Sequence, residues 1–353
     1  RYYLADQHVA LGSLSMKLET SPREGLSGTL ALSDLRVDTL RINSAQLNLS
    51  TERQTIARGD SLSLVLFGTV MKSRYRSQEG FTISTDLRTS LQSGYLDFSW
   101  QDERGEVRHT AEVEGSWSGE AYQLHFIGDR LRLAYNDYKI NPENSLSLRK
   151  KDYFLLGSLQ LAGEKRGEFS LLAEESTPGV QDITLGIHKL YLEDYRSLGL
   201  PDIGGIFFGD VHYQRKGDLS QQPTISGDLS IADLRYEDKK LGHFTSSLFY
   251  EPRSGDSHYI TADIGYNGQS AMTIDGIYHP REKTSPLSGT LTLNAFPLEL
   301  ANPFLAANAT SLKGTAEGSI RLSGKLTEPL LSGKMNLSDA MVHLDSYGMH
   351  LVL

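Results

Sequence analysis

Along most of this chain, apolar residues stand two apart. Leu30/Leu32, Leu35/Val37, Leu40/Ile42 and Leu47/Leu49 open the series. Leu62/Leu64/Leu66, Leu96/Phe98/Trp100, Leu124/Phe126, Leu131/Leu133, Leu146/Leu148, Leu159/Leu161 and Phe169/Leu171 continue it. The second half adds Leu229/Ile231, Leu291/Leu293, Ile320/Leu322, Met335/Leu337 and Val342/Leu344. The positions between are mostly Ser, Thr, Asn, Arg or Asp. Side chains on a strand alternate sides, so each segment predicts one dry and one wet face, as in an antiparallel sheet covered on one side only. Three-residue steps separate the first three pairs, the phase slip that a bulge or tight bend produces. Helical periodicity is confined to residues 190–198 and 297–305, each enough for one or two turns, with Pro297 placed for a helix start.

The punctuation is Gly, Asn, Asp and charged clusters: residues 101–105, 149–152, 163–167 and 236–240 all fall between apolar pairs and read as solvated hairpin tips. Composition fits strands and turns, with 17 Tyr against 2 Trp, and 33 Gly. The net charge of -9, with basic residues scattered among acidic ones, argues against nucleic-acid binding. Cysteine is absent, which removes thiol chemistry and disulfides and fits an oxidising compartment. No apolar run approaches the roughly 18 residues of a membrane helix. The chain starts at Arg1 without a leader and is expected to be a fragment of a larger protein.

One string recurs: Ser-Gly-x-apolar-x-apolar-x-Asp at 27–34, 226–233 and 332–339. It belongs to a larger duplication. Ile187/Leu293, Leu192/Leu298, Glu193/Glu299, Gly227/Gly333, Asp233/Asp339 and Gly242/Gly348 each lie 106 positions apart. A short helix, a Gly-started strand, a Gly turn, a Pro-containing turn and a second strand make up the unit. Such repetition predicts one continuous elongated array over 1–353, with divergent strands at 1–186, a first repeat at 187–292 and the start of a second at 293–353. At ten to twelve residues per strand and turn, roughly 30 strands are expected.

The unit resembles the TamB family, the translocation and assembly module proteins related to the AsmA-like group. The residues that carry the resemblance are Pro297-Leu298-Glu299-Leu300, Leu312-Lys313-Gly314, the run from Gly318 to Leu326, and Pro329 to Leu337. It extends over 187–353; residues 1–186 share only the strand style and one copy of the recurring string. The resemblance implies an all-β fold: an elongated, curled antiparallel-type sheet, a solenoid-like open trough or β-taco, with an apolar interior and one or two short helices. It also implies a periplasmic location, with an inner-membrane anchor outside this fragment. The implied role is in phospholipid transport between the membranes and in outer-membrane protein assembly. The implied partners are phospholipid acyl chains or unfolded outer-membrane protein strands, and an outer-membrane barrel of the BamA/TamA type reached through regions outside the fragment.

The physics of a one-sided sheet leads to the same place. An apolar face must be buried, and a curled sheet whose walls do not meet leaves a groove able to hold acyl chains, at about 0.8 kcal/mol per buried CH2. The expected groove lining is Leu30, Leu32, Leu47, Leu49, Leu62, Leu64, Leu66, Leu229, Ile231, Leu291, Leu293, Ile320, Leu322, Met335 and Leu337. No metal, cofactor or catalytic constellation is expected. His188 and His212 read as strand-face histidines, and the neighbours Glu174/Glu175 and Glu237/Asp238 would point to opposite faces of a strand. Asp34, Asp233 and Asp339 read as turn-forming residues at which the strand stops. A β-rich adhesin or ligand-binding module is the alternative function; a polysaccharide-acting β-helix enzyme would need an acidic groove that no spacing here implies.

Overall fold

The computed structural model describes residues 9–21, 25–37, 40–56, 59–75, 80–128, 131–164, 166–198, 202–237, 239–304, 311–325, 328–344 and 349–352. They form two units, Arg1–Leu172 with Ser197–Gly199, and Ala173–Arg196 with Leu200–Leu353. In the first unit the strands are β1 (Val9–Ala10), β2 (Ser13–Ser21), β3 (Gly25–Val37), β4 (Leu40–Ile56), β5 (Gly59–Tyr75), β6 (Phe81–Thr89), β7 (Ser93–Asp102), β8 (Val107–Trp117), β9 (Ala121–Phe126), β10 (Leu131–Leu133), β11 (Asn136–Ile140), β12 (Ser145–Arg149) and β13 (Phe154–Gly163). After β14 (Gly167–Thr177) come β15 (Val180–Tyr191), β16 (Ile203–Lys216), β17 (Thr224–Tyr236), β18 (Lys239–Arg253), β19 (Ser257–Tyr266), β20 (Gln269–Tyr278), β21 (Leu287–Pro297), β22 (Ser311–Lys325), β23 (Glu328–Leu344) and β24 (Met349–Val352). The described residues thus hold 24 strands, fewer than the strand spacing suggested, because β3, β4, β5 and β23 run for 13 to 17 residues each. The two helical stretches are 3-10 helices, Leu192–Leu198 and Leu298–Phe304, with acidic residues in their first turns. The fold is all-β, and its strand pairing is antiparallel.

In the first unit β2 to β9 pair in chain order. Then the order breaks. With β7 on one flank of β8, the other flank is shared by two short strands: β9 takes Val113–Trp117, and β10 takes Thr110. Next to them stand β12, paired with β9, and β11, paired with β10; β13 collects both. Asn144, 3% exposed, stitches this division. Its Oδ1 accepts from the Phe126 amide (2.7 Å) and its Nδ2 donates to the carbonyls of Phe126 (2.9 Å) and Asn141 (2.9 Å). Here apolar side chains close into a packed cluster of Leu131, Tyr138, Ile140 and Leu161, backed by Ala111, Phe126, Leu133, Leu159 and Phe169.

In the second unit β15 to β24 form a plain meander. The β19–β20 hairpin turns on Asn267 and Gly268, both at positive φ (49° and 85°), the two-residue turn whose twist matches the flanking strands. The charged clusters at 101–105, 149–152, 163–167 and 236–240 lie at strand junctions, with Lys165 and Asp238 outside the described residues.

The recurring Asp does not stop its strand. Asp34, Asp233 and Asp339 lie inside β3, β17 and β23 at φ 50°, 51° and 52°. They bend the strand and reset its phase, which produces the step from Leu32 to Leu35. Asp tolerates the left-handed region better than most residues because its short side chain can satisfy nearby backbone groups, so it serves as a bulge residue here. Gly205 and Gly314 stand opposite, at φ 134° and 102°; a Cβ there would meet the Ala232 carbonyl at 2.9 Å and the Asp339 carbonyl at 2.6 Å. The amides of these glycines donate to Glu193 (3.1 Å) and Glu299 (3.3 Å), from the two 3-10 helices. Each Glu-Gly-Asp set is the counterpart of the other across the duplication. Gly348 lies outside the described residues, and the hairpins there differ: Tyr236 pairs with Lys239, whereas Leu344 pairs with Met349.

Candidate functional site

Directly paired residues in a sheet share a face, so the registers can be followed from strand to strand. One row of the second unit reads Leu185, Val211, Gly227, Leu248, Ala262, Ile274, Leu291, Ile320, Gly333, across nine strands without a polar residue. The next row reads Ile187, Gly209, Leu229, Ser246, Ile264, Met272, Leu293, Gly318, Met335. Beyond it Phe207, Ile231, Phe244 and Tyr266 line up, and on the far strands Phe296, Ala316 and Leu337.

The opposite face is polar and partnered. Gln214 donates to Asp182 (3.3 Å), Ser247 to Asp228 (2.6 Å), and Ser270 to Asp263 (3.2 Å). His212 bonds Thr184 (3.1 Å), and His188 lies 3.9 Å from Asp210, so each histidine has its own partner on this face. Among the described residues, no group of three or more His, Asp or Glu is placed to hold a metal ion.

Leu229, Ile231, Leu291, Leu293, Ile320, Leu322, Met335 and Leu337 all fall on the apolar face of the second unit. Leu293 is 7% exposed and Met335 50%, with the rest between. In the first unit the register aligns Leu30 with Leu47, Leu32 with Ala45, and Gly28 with Leu49, so these four leucines share one face, Leu47 being 37% exposed. The backbone register sets Leu62, Leu64 and Leu66 against Arg53, Thr51 and Leu49; their side chains lie outside the described residues.

The sequence reading missed a polar band at one end of the first unit's apolar face. Trp100 pairs directly with His109, their rings 5.5 Å apart and Phe81 against the Trp. His109, 8% exposed, takes the Ala134 amide on Nδ1 (3.3 Å). Burial, with Arg108 nearby, lowers its pKa to about 4, so the ring is neutral at pH 7. Burial also pushes Asp102 upward, but hydrogen bonds from the Glu106 and Arg104 amides (2.9 Å each) and the Tyr135 hydroxyl (2.9 Å) outweigh it and hold the carboxyl below its usual value. Trp100 was visible as an apolar position; His109 and Tyr135 reach it and Asp102 from later in the chain, and the sequence does not announce that pairing.

This is an all-β protein whose second unit carries an apolar sheet face across nine strands. Within it, residues 259–337 match the family model described as TamB, N-terminal domain. The match covers β19 to β23 up to Leu337 and falls inside the stretch that carries the sequence resemblance. No curated protein and no solved structure matches the chain.

Proposed function

We propose that this chain is a non-enzymatic scaffold of the bacterial periplasm, anchored to the inner membrane by a segment outside residues 1–353. Its apolar sheet face receives acyl chains on their way between the two membranes, and extended segments of outer-membrane proteins under assembly. The observation that carries this reading is the run of apolar rows over β15–β23, backed by a polar face. Leu, Ile, Val and Met present no donors or acceptors, so such a face takes many chains without discriminating among them. The TamB match within these strands supports it. A second docking end, at an outer-membrane barrel of the BamA/TamA type, belongs to the same proposal.

Photo-crosslinking tests the face. Probes at Leu229, Ile231, Leu291 and Leu293 are expected to capture labelled phospholipid, and probes at Ser230 and Thr292 are not. Equal labelling from both sets, or none from either, rejects the reading.

A further inference from the structure

The two rims of the first unit differ in chemistry. At one rim, the β7–β8 turn carries Glu103, Arg104 and Glu106, with the Arg132–Asp137 ion pair (2.6 Å) close by in the paired β10–β11 hairpin. At the other rim three turns come together, between β6 and β7, β8 and β9, and β12 and β13. They are pinned to one another: the Trp117 amide donates to the Gln92 carbonyl (2.9 Å) and its indole to the Leu91 carbonyl (2.6 Å). The Lys150 amide donates to the Glu120 carbonyl (2.8 Å), and its ammonium binds the Ser118 carbonyl.

This pinned rim displays large apolar and aromatic side chains. Leu91 and Tyr153, on the turns, are 77% and 51% exposed, and Tyr122, at the start of β9, is 48% exposed. Trp117 stands beside them, Lys150 lies 4.3 Å from the Tyr122 ring and Lys151 follows it; Asp152 is held by Arg149 (2.7 Å) and Glu120 is exposed on the neighbouring turn, which leaves the rim with one cation in excess. Single exposed apolar residues need no explanation; a set of them gathered at three mutually tied turns and the strand ends beside them does. Behind the turns opens a cleft of about 500 Å³ of mixed character, lined among others by Arg88, Ser90, Tyr95, Glu114, Gln123 and Leu124.

We propose that this rim docks on a lipid bilayer surface. Trp and Tyr favour the depth where headgroups meet acyl chains, Leu inserts just below, and lysines meet anionic headgroups even though the whole chain is acidic. The turns are rigidly tied, so insertion orders no loop and loses little entropy. A protein partner would favour a flatter patch with fewer lysines.

The test uses the full chain with Trp100→Phe, which leaves Trp117 as the sole tryptophan. Vesicles of phosphatidylethanolamine with one quarter phosphatidylglycerol are expected to blue-shift Trp117 emission, and brominated acyl chains to quench it. Leu91→Asp with Tyr153→Asp, both at exposed turn positions, should weaken partitioning about tenfold. Uptake of a monomeric fluorescent fatty acid by the apolar face should be unchanged in that variant. Vesicle binding without Trp117 quenching, no vesicle binding, or partitioning unaffected by the double substitution each overturns the proposal. Fatty-acid uptake failing in the unsubstituted chain would instead reject the function proposed for the apolar face, leaving the rim result standing.

Discussion

Strands β8–β13 and β15–β23 are written in the same alternating grammar, yet they use their apolar residues differently. In β8–β13 the sheet is split, half-length strands stand side by side, and the apolar face folds onto itself around Leu131, Tyr138, Ile140 and Leu161. Among the described residues of β15–β23 each strand pairs with its neighbours in sequence, and most positions of the rows stay partly exposed. The same residue types therefore supply stability in one region and an available surface in the other. Stability should accordingly be concentrated in the first region and binding capacity in the second.

The largest expected effect is Phe154→Ala. Phe154 is fully buried, with Arg149 over its ring at 4.9 Å, and truncation should cost about 3–5 kcal/mol in urea unfolding of the first unit. Ile274→Ser, in the middle of the nine-strand row, should cost less than about 1.5 kcal/mol while weakening acyl-chain uptake. Equal destabilisation by the two would erase the contrast.

Acid should act on the packed region next. The folded pKa of His109 lies near 4, below the ordinary value of 6.5, so the unfolded chain takes up the proton first. This group's contribution is constant above about pH 6.5, falls between there and pH 4, and levels off below, a loss of up to about 3 kcal/mol. His109→Leu should remove that slope, as measured by thermal melts across the range. Asn144→Ala, which strands the Phe126 amide and carbonyl, should cost about 1–3 kcal/mol and loosen amide-exchange protection at the β9–β12 junction first. The smallest effect concerns the second region's bulges: Asp233→Gly should raise stability by up to about 1 kcal/mol, whereas Asp233→Val should lower it by about 1–2 kcal/mol. A stable Asp233→Val would mean the left-handed bulge is dispensable.

Much of this was written in the local pattern. Period-two alternation gave the strands and their dry face, because strand geometry couples the two directly. Local helical periodicity marked both short helices and the 106-residue correspondence then related them, although nothing local distinguishes a 3-10 turn from the start of an α-helix. The recurring Asp was misjudged for a physical reason: a left-handed residue either ends a strand or bends it, depending on whether a paired strand supplies a glycine to accommodate the bulge. Gly205 and Gly314 do so from β16 and β22, elements whose alignment with Asp233 and Asp339 only the registers reveal. The divided strands were out of reach for a similar reason. Asn144 looks like any loop asparagine until Phe126, 18 residues earlier, is seen as its partner.

The duplicated piece, from β15 to the strand before β21, contains six strands. In a meander of alternating direction, an even count is the only kind of insertion that returns the chain to the same heading, with the same residues facing the same side. An odd count would send every later strand the opposite way and bring its bulges to the wrong rim. Parity thus governs how such a sheet can lengthen: growth proceeds by whole hairpins, and each added pair prolongs the apolar surface without redesigning what came before.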